Sequence, residues 1–389
     1  MSVSQRRIFF GGINVFLQQK IPLFRFTPEF FDRLWDSPKL IDWLARRAST
    51  TDAHSLGELT LSMLRGEHGH QRKELSKLIR WLADDVRPDL VHLSNALLMG
   101  MAHQIRDALN IPVVVGLSGE DIFLEKLPEP YQTQSRDEMR RRAGDVAAYV
   151  AMNQYYADYM RDYLRLDPAV VHVVPAGLDL TGHATGPRTV HDQRRAIGFL
   201  ARICHDKGLH QLIDAFTILA RDPTLSDVQL RVAGYLGPSD QTYFDEQQQR
   251  IDKLGLSDRF EYVGELDRKE KIDFLQSLDI MCLPTVYRES KGLSVVEALA
   301  NAVPVVLPRH GAFPELIEDT RGGLLCDPND ASSLARSLKE LLTDRPRAEQ
   351  LGQAGQAAVQ ARHGSAIMAE RTIALYRELL AGTQNTKPS

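Results

Sequence analysis

Cysteine is scarce in this chain, with three in 389 residues: Cys204, Cys282 and Cys326 lie far apart, each in or beside an apolar run. Such spacing supports neither a disulfide framework nor a metal cluster, and is expected of buried thiols in a reducing cytoplasm. Long apolar runs are missing too. No stretch approaches the roughly 20 apolar residues of a membrane span, and the opening MSVSQRRIFFGG has no apolar run long enough for a signal peptide. The expectation is a protein made and kept inside the cell, in the cytoplasm or peripheral to the inner face of the membrane. Charge of one sign is also lacking, since a net charge of -4 creates no global field for nucleic acid, and any anion site must be local. What remains, 43% hydrophobic and 25% charged, is the profile of a globular chain. Its length exceeds one ordinary core, so two domains of similar size are expected.

The most informative stretch is Tyr287 to Pro304, YRESKGLSVVEALANAVP. Glu289 is followed by Ser290, Lys291 and Gly292, and then by a helical pattern whose apolar positions Leu293, Val296, Ala300 and Val303 recur at three and four residues. A second acid, Glu297, follows the first by eight positions. With a helix starting near Gly292, the two carboxylates flank its N-terminus. The free amides and the positive dipole end there suit a phosphate, and the carboxylates suit hydroxyls, so the pattern fits a molecule that is part phosphate and part sugar. Two acids that merely cap a helix or face solvent give the same spacing. The flanking runs Ile280 to Pro284 and Pro304 to Pro308 read as buried parallel strands, and ligands of such sheets bind where strands end and helices begin.

Elsewhere strand and helix alternate. In the first half, apolar runs at 88–93, 111–115, 147–151 and 171–175 predict a parallel sheet covered by helices. Arg7 to Phe10 reads as a strand entering the glycine turn Gly11-Gly12, which lets backbone approach a ligand but lacks the three-glycine dinucleotide spacing. Residues 21–47 interleave aromatics such as Phe24, Trp35 and Trp43 with Arg25, Lys39 and Arg46. They read either as an amphipathic helical pair packed on its own domain or as a surface meeting a lipid-linked acceptor at a membrane interface. Ser118, Glu120 and Asp121 stand at a strand end, where the acids either meet a ligand or cap the next helix. In the second half, runs at 196–200, 228–234, 260–265 and 322–328 join the two central strands in a second parallel sheet. Arg202 and Lys207, five apart at a strand-to-helix junction, suit a diphosphate, although exposed loop cations look the same.

Taken together, Arg202, Lys207, Glu289 and Glu297 resemble the signature of the family 4 (group 1) retaining glycosyltransferases of the GT-B fold. The resemblance is strong from Ile197 to Asp327 and loose before Pro88. It implies an α/β protein of two Rossmann-like doubly wound domains facing each other across a cleft. Residues 1–180, joined by the terminal helix 365–381, would bind the acceptor; 181–194 would be a linker; and 195–364 would bind a nucleotide sugar. It implies that Arg202 and Lys207 neutralise the leaving diphosphate and that Glu289 contacts the donor sugar. Glu297 would hold the ribose, and Gly11, Gly12, Gly234, Val263, Leu266, Lys291, Gly292 and Leu293 would line the rest of the donor site. Where the family usually has a proline and an aromatic after the first glutamate, this chain has Ser290 and Lys291, which leaves the sugar open. Ser118 stands where a histidine is common, and Glu120 or Asp121 would have to replace that contact.

The activity implied is transfer of a sugar, with retention, from a UDP- or GDP-type donor to a hydroxyl of a glycan, lipid-linked sugar or small molecule. No Asp-x-Asp pair occurs in the sequence, so neither an obligatory metal nor a cofactor is expected, the nucleotide sugar being a co-substrate. A sugar-nucleotide hydrolase or epimerase on the same fold, or a silent nucleotide-sugar-binding protein, are the alternatives. The first would need a further acid or base beside the sugar; the second would bind donor without turnover.

Overall fold

The computed structural model describes residue 19, residues 53–184 and residues 195–385. The Gly11-Gly12 turn, the aromatic stretch 21–47 and most of the expected linker lie outside the described residues. The chain forms two compact units, one of Met1–Met152, Ala157–Val173 and Ile373–Ser389, the other of Asn153–Tyr156 and Val174–Thr372.

In the first unit four strands, β1 (Val91–Leu93), β2 (Val113–Leu117), β3 (Ala148–Ala151) and β4 (Val171–Val173), pair in parallel in sequence order. β1 and β2 start later than their apolar runs, which open with Pro88 and Ile111-Pro112, because proline cannot donate to a ladder. Thus β2 begins after Pro112, whose carbonyl still accepts the Val91 amide at 3.2 Å. Helices Ala53–Leu64, Ala102–Leu109 and Tyr131–Arg142 belong to this unit.

The second unit adds β5 (Ala196–Leu200), β6 (Gln229–Ala233), β7 (Phe260–Gly264), β8 (Ile280–Cys282), β9 (Val305–Pro308) and β10 (Gly323–Cys326). All pairs are parallel, in the order β10-β9-β8-β5-β6-β7. Strands β5, β8 and β9 are buried at every position, which is why they read as unbroken apolar runs rather than alternating ones. Phe199, Phe216, Val295, Leu299 and Phe313 are wholly buried around them, and each fully buried side chain of this kind contributes about 1.5–3 kcal/mol. Helix Leu293–Ala300 turns Val295, Val296, Ala298, Leu299 and Ala300 into this core; of the expected stripe Val296, Ala300 and Val303 are buried, whereas Leu293, in the first turn, faces out. The terminal helix, expected over 366–380, runs Ser365–Asn385. All three cysteines are free and buried. Among the described residues, no helix is long and apolar enough to cross a membrane.

The strand order decides where a ligand can sit. It runs outward from β5 through β6 and β7 on one side, and from β8 through β9 and β10 on the other. The neighbours β5 and β8, paired through Ile197↔Ile280, therefore form the point where crossovers diverge and leave a crevice at the strand ends.

Candidate functional site

Two loops leave that point: Ala201 to Gly208 after β5 and Leu283 to Gly292 after β8. They touch through backbone. The Val286 amide donates to the Asp206 carbonyl at 2.9 Å. Gly208 has φ +80, and a Cβ there would fall 1.8 Å from the Pro284 carbonyl oxygen, so only glycine permits both the turn and the approach. This contact brings Lys207, at the end of the short His205–Lys207 turn, over the second loop.

There Lys207 meets Glu289, 82 residues away, with Nζ 2.7 Å from Oε2. Its ammonium also donates to the Tyr287 hydroxyl at 2.5 Å, and that hydroxyl in turn donates to the same Glu289 oxygen at 2.5 Å. The other oxygen, Oε1, accepts from the backbone amides of Ser290 and Lys291, each at 3.2 Å. Glu289 is 6% exposed. Burial alone would raise its pKa, but the Lys207 charge, the Lys207 and Tyr287 hydrogen bonds and the Lys291 amide together hold it below the usual carboxylate range. The Tyr287 phenol is pushed up by burial and by the Glu289 charge, so it remains protonated and a donor. Behind the acid, Gly311 has φ +62 and packs so close that a Cβ would lie 2.5 Å from the Glu289 carbonyl oxygen, which also accepts the Ala312 amide at 2.8 Å.

Glu297 lies on helix Leu293–Ala300, where Gly292 is an N-cap at φ 65 with no side-chain cap. Leu293, in the first turn, is 47% exposed. The Glu297 carboxylate pairs with Lys271 at 2.5 Å; Lys271 comes from helix Arg268–Gln276, whose start is fixed by the Asp267–Glu270 capping box. Of the other expected donor residues, Gly234 follows β6, its amide donating to the Gly264 carbonyl at 2.8 Å and its carbonyl accepting the Tyr262 hydroxyl at 2.9 Å. Val263 and Leu266 are partly buried against the core, and Lys291 is half-buried. Arg202 is exposed, and its Nη2 donates to Cys204 Sγ at 3.4 Å.

Ser118, Glu120 and Asp121 belong to the first unit and form their own cluster. Glu120, 4% exposed, accepts from the Ser118 amide at 2.7 Å, the Ser118 hydroxyl at 2.9 Å and the Ala96 amide at 3.2 Å. Its carboxylate thus fastens the end of β2 to the start of the Ala96–Met101 turn, and Asp121 is half-buried beside it. Gly11 and Gly12 lie outside the described residues. Among the described residues, no group of three or more His, Cys, Asp or Glu side chains could hold a metal ion.

Two members of the site went unnoticed in the sequence. Tyr287 sits two positions before Glu289 and carries no signal of its own; Lys271 is hidden in the charged run Arg268 to Lys271, which reads as a solvated helix start. Only the packing of helix Arg268–Gln276 against helix Leu293–Ala300 shows which of those charges turns inward.

Comparison with known proteins agrees with this layout. The model of the family described as glycosyl transferases group 1 matches residues 187–358, and that of glycosyltransferase family 4 matches residues 45–181. An alpha-maltose-1-phosphate synthase of Mycolicibacterium smegmatis is 30% identical over 275 residues, 66% of this chain and 69% of that protein. A D-inositol 3-phosphate glycosyltransferase of Corynebacterium diphtheriae is 28% identical over 69% of this chain and 65% of that protein. The matched stretch spans 52 to 69% of the length of such relatives. Among solved structures, the Anabaena protein Alr3699/HepE in complex with UDP superposes with a TM-score of 0.67 at 20% identity, covering 80% of this chain and 84% of that one. At that identity the likeness concerns the fold.

Proposed function

Because this chain belongs to the group 1 glycosyltransferases of the GT-B fold, we propose that it moves a hexosyl group from a nucleoside diphosphate sugar to an acceptor hydroxyl, with retention and without a metal. The observation that carries the reading is the convergence, at the switch point of one sheet, of the Lys207 ammonium with Glu289, eight positions before Glu297. The relatives point the same way: one is named a glycosyltransferase, and a neighbour in fold was solved with UDP.

The reaction asks for charge stabilisation while the diphosphate leaves. The anomeric carbon–oxygen bond to the diphosphate breaks and a bond to the acceptor oxygen forms on the same face. The acceptor proton passes to a phosphate oxygen of the departing group, so no protein base is required. Lys207 and Arg202 neutralise the growing charge, and the amides at Gly292 and Leu293 add the positive end of their helix. Glu289 orients sugar hydroxyls and Glu297 the ribose, its rotamer set by Lys271. In the first unit, the Ser118–Glu120 clamp shapes the end of β2.

The test is a panel of UDP and GDP sugars screened for thermal stabilisation of the wild type, Glu297→Ala and Lys207→Ala. A ligand specific for the folded state stabilises it by about 2.7 kcal/mol at about 100 times its dissociation constant. One donor that stabilises the wild type and neither variant is expected. Absence of any shift with every nucleotide sugar and free nucleoside diphosphate overturns the reading. Turnover in the presence of a chelator, with the anomeric configuration of the product read by NMR, checks metal independence and retention.

A further inference from the structure

Glu289 accepts from four donors: the Lys207 ammonium, the Tyr287 hydroxyl and the amides of Ser290 and Lys291. A carboxylate offers about four lone-pair positions. As it stands, Glu289 has no acceptor position left for a sugar hydroxyl, so one donor must leave before it can take one. Three of the four are fixed. Two are backbone amides of the same loop, and the third is a half-buried phenol only two residues before the acid in that loop. Lys207 differs, being a point charge on a flexible four-carbon stem, with its side chain 23% exposed. It is also the group that a diphosphate would draw.

The geometry points to Tyr287 as the positioning residue of a partner exchange: a diphosphate takes the Lys207 ammonium away from Tyr287 and Glu289, and the Tyr287 hydroxyl, still donating to Glu289, holds the carboxylate in place while the vacated position accepts a sugar hydroxyl. The inference rests on the proposed nucleotide-sugar reading and adds to it an order of events. Phosphate capture comes first and licenses sugar recognition. Tyr287 acts in two opposite senses. It opposes phosphate capture, because its oxygen accepts from Lys207 and that bond must break. It supports sugar recognition, because its proton pins Glu289 once Lys207 has gone.

Opposite senses give a signature that general damage to the site does not. Tyr287→Phe removes the hydroxyl and keeps the ring. Isothermal calorimetry on the full chain compares UDP with UDP-glucose, or GDP with GDP-mannose, whichever pair the donor panel selects, alongside donor KM and kcat. In Tyr287→Phe, affinity for the free nucleoside diphosphate is expected to hold or to rise. The extra affinity contributed by the sugar, and kcat, are expected to fall by roughly tenfold or more, the range of a hydrogen bond to a charged group. A parallel loss of both affinities, or no change in either, overturns the exchange. If Tyr287→Phe does not fold, Glu289→Gln reports on the same hold: free diphosphate binding retained or strengthened with the sugar contribution abolished is expected, and loss of both refutes it. If the wild type binds none of these ligands, the nucleotide-sugar reading itself has failed. If the wild type binds and the variant's two affinities move together, only the exchange has.

Discussion

Replacing Lys207 by Met removes an ammonium and keeps the length of the side chain, so little cavity is left and the electrostatic consequence is isolated. Breaking a buried pair by deleting one partner costs about 3–5 kcal/mol when the remaining charge is uncompensated. Here Glu289 keeps the Tyr287 hydroxyl and two backbone amides, and the Lys207 side chain is 23% exposed, so solvent already shares its charge. The expected loss is therefore nearer about 2–3 kcal/mol at neutral pH. Its pH dependence follows from Glu289. In the wild type the folded carboxyl lies below its ordinary value of 4.5, so its contribution is present above that value and is lost as pH falls through the lowered one. In Lys207→Met, burial, the largest influence on this group, is no longer outweighed by a facing cation. The folded pKa therefore moves up in the variant, and the stabilisation that the wild type gains as pH rises toward 4.5 shrinks. The two proteins should converge only as pH falls through the lowered carboxyl value of the wild type, and diverge as pH rises to and past the ordinary value of 4.5. Urea unfolding at a series of pH values measures this, as does the melting temperature, which moves by about 2–4 °C per kcal/mol for a unit of this size. A difference below about 0.5 kcal/mol at neutral pH, the ordinary range of surface substitutions, or one that stays flat across the series, refutes an ionised Glu289 held by Lys207.

Gly208→Ala places a Cβ against the Pro284 carbonyl at a positive φ, so the loops after β5 and β8 must part; a loss of about 2–4 kcal/mol by chemical unfolding is expected, together with weaker nucleoside diphosphate binding. In the first unit, Glu120→Gln puts an amide where three donors converge, and a loss of about 1–3 kcal/mol, with faster hydrogen exchange at the Ser118 and Ala96 amides, is the expected result.

Much of the architecture was legible because it rests on short-range rules. The runs at Ala196 to Leu200 and Ile280 to Pro284 are apolar without alternation, which only strands buried on both faces require, and both are strands with no exposed position. The spacing of Val296 and Ala300 likewise forecast part of the buried face of helix Leu293–Ala300, while Leu293, counted in the same stripe, is exposed because it stands in the first turn. Strand ends were less legible: Ile280–Cys282 is shorter than its apolar run, which goes on to Pro284, and β2 continues to Leu117, where it pairs with Ala151 of β3. For the site, the sequence marked Lys207, Glu289 and Glu297 by type and spacing. It treated Glu289 as an acid waiting for hydroxyls, whereas the structure shows a carboxylate surrounded by donors from its own chain.

The chemistry this chain can offer was already decided along the chain: two acids eight apart at a helix start, two cations five apart after a strand, and the alternation that makes a parallel sheet. Those are properties of neighbours in sequence, governed by helix and strand periodicity. Which of these groups meet was decided only in three dimensions. Lys207 reaches Glu289 across 82 positions because β5 and β8 are adjacent in the sheet and because Gly208 lets the loops that follow them touch. Tyr287 and Lys271 acquire their roles from the same packing, since a hydrogen bond depends on position to within a few tenths of an ångström, and no local pattern carries that information across a crossover.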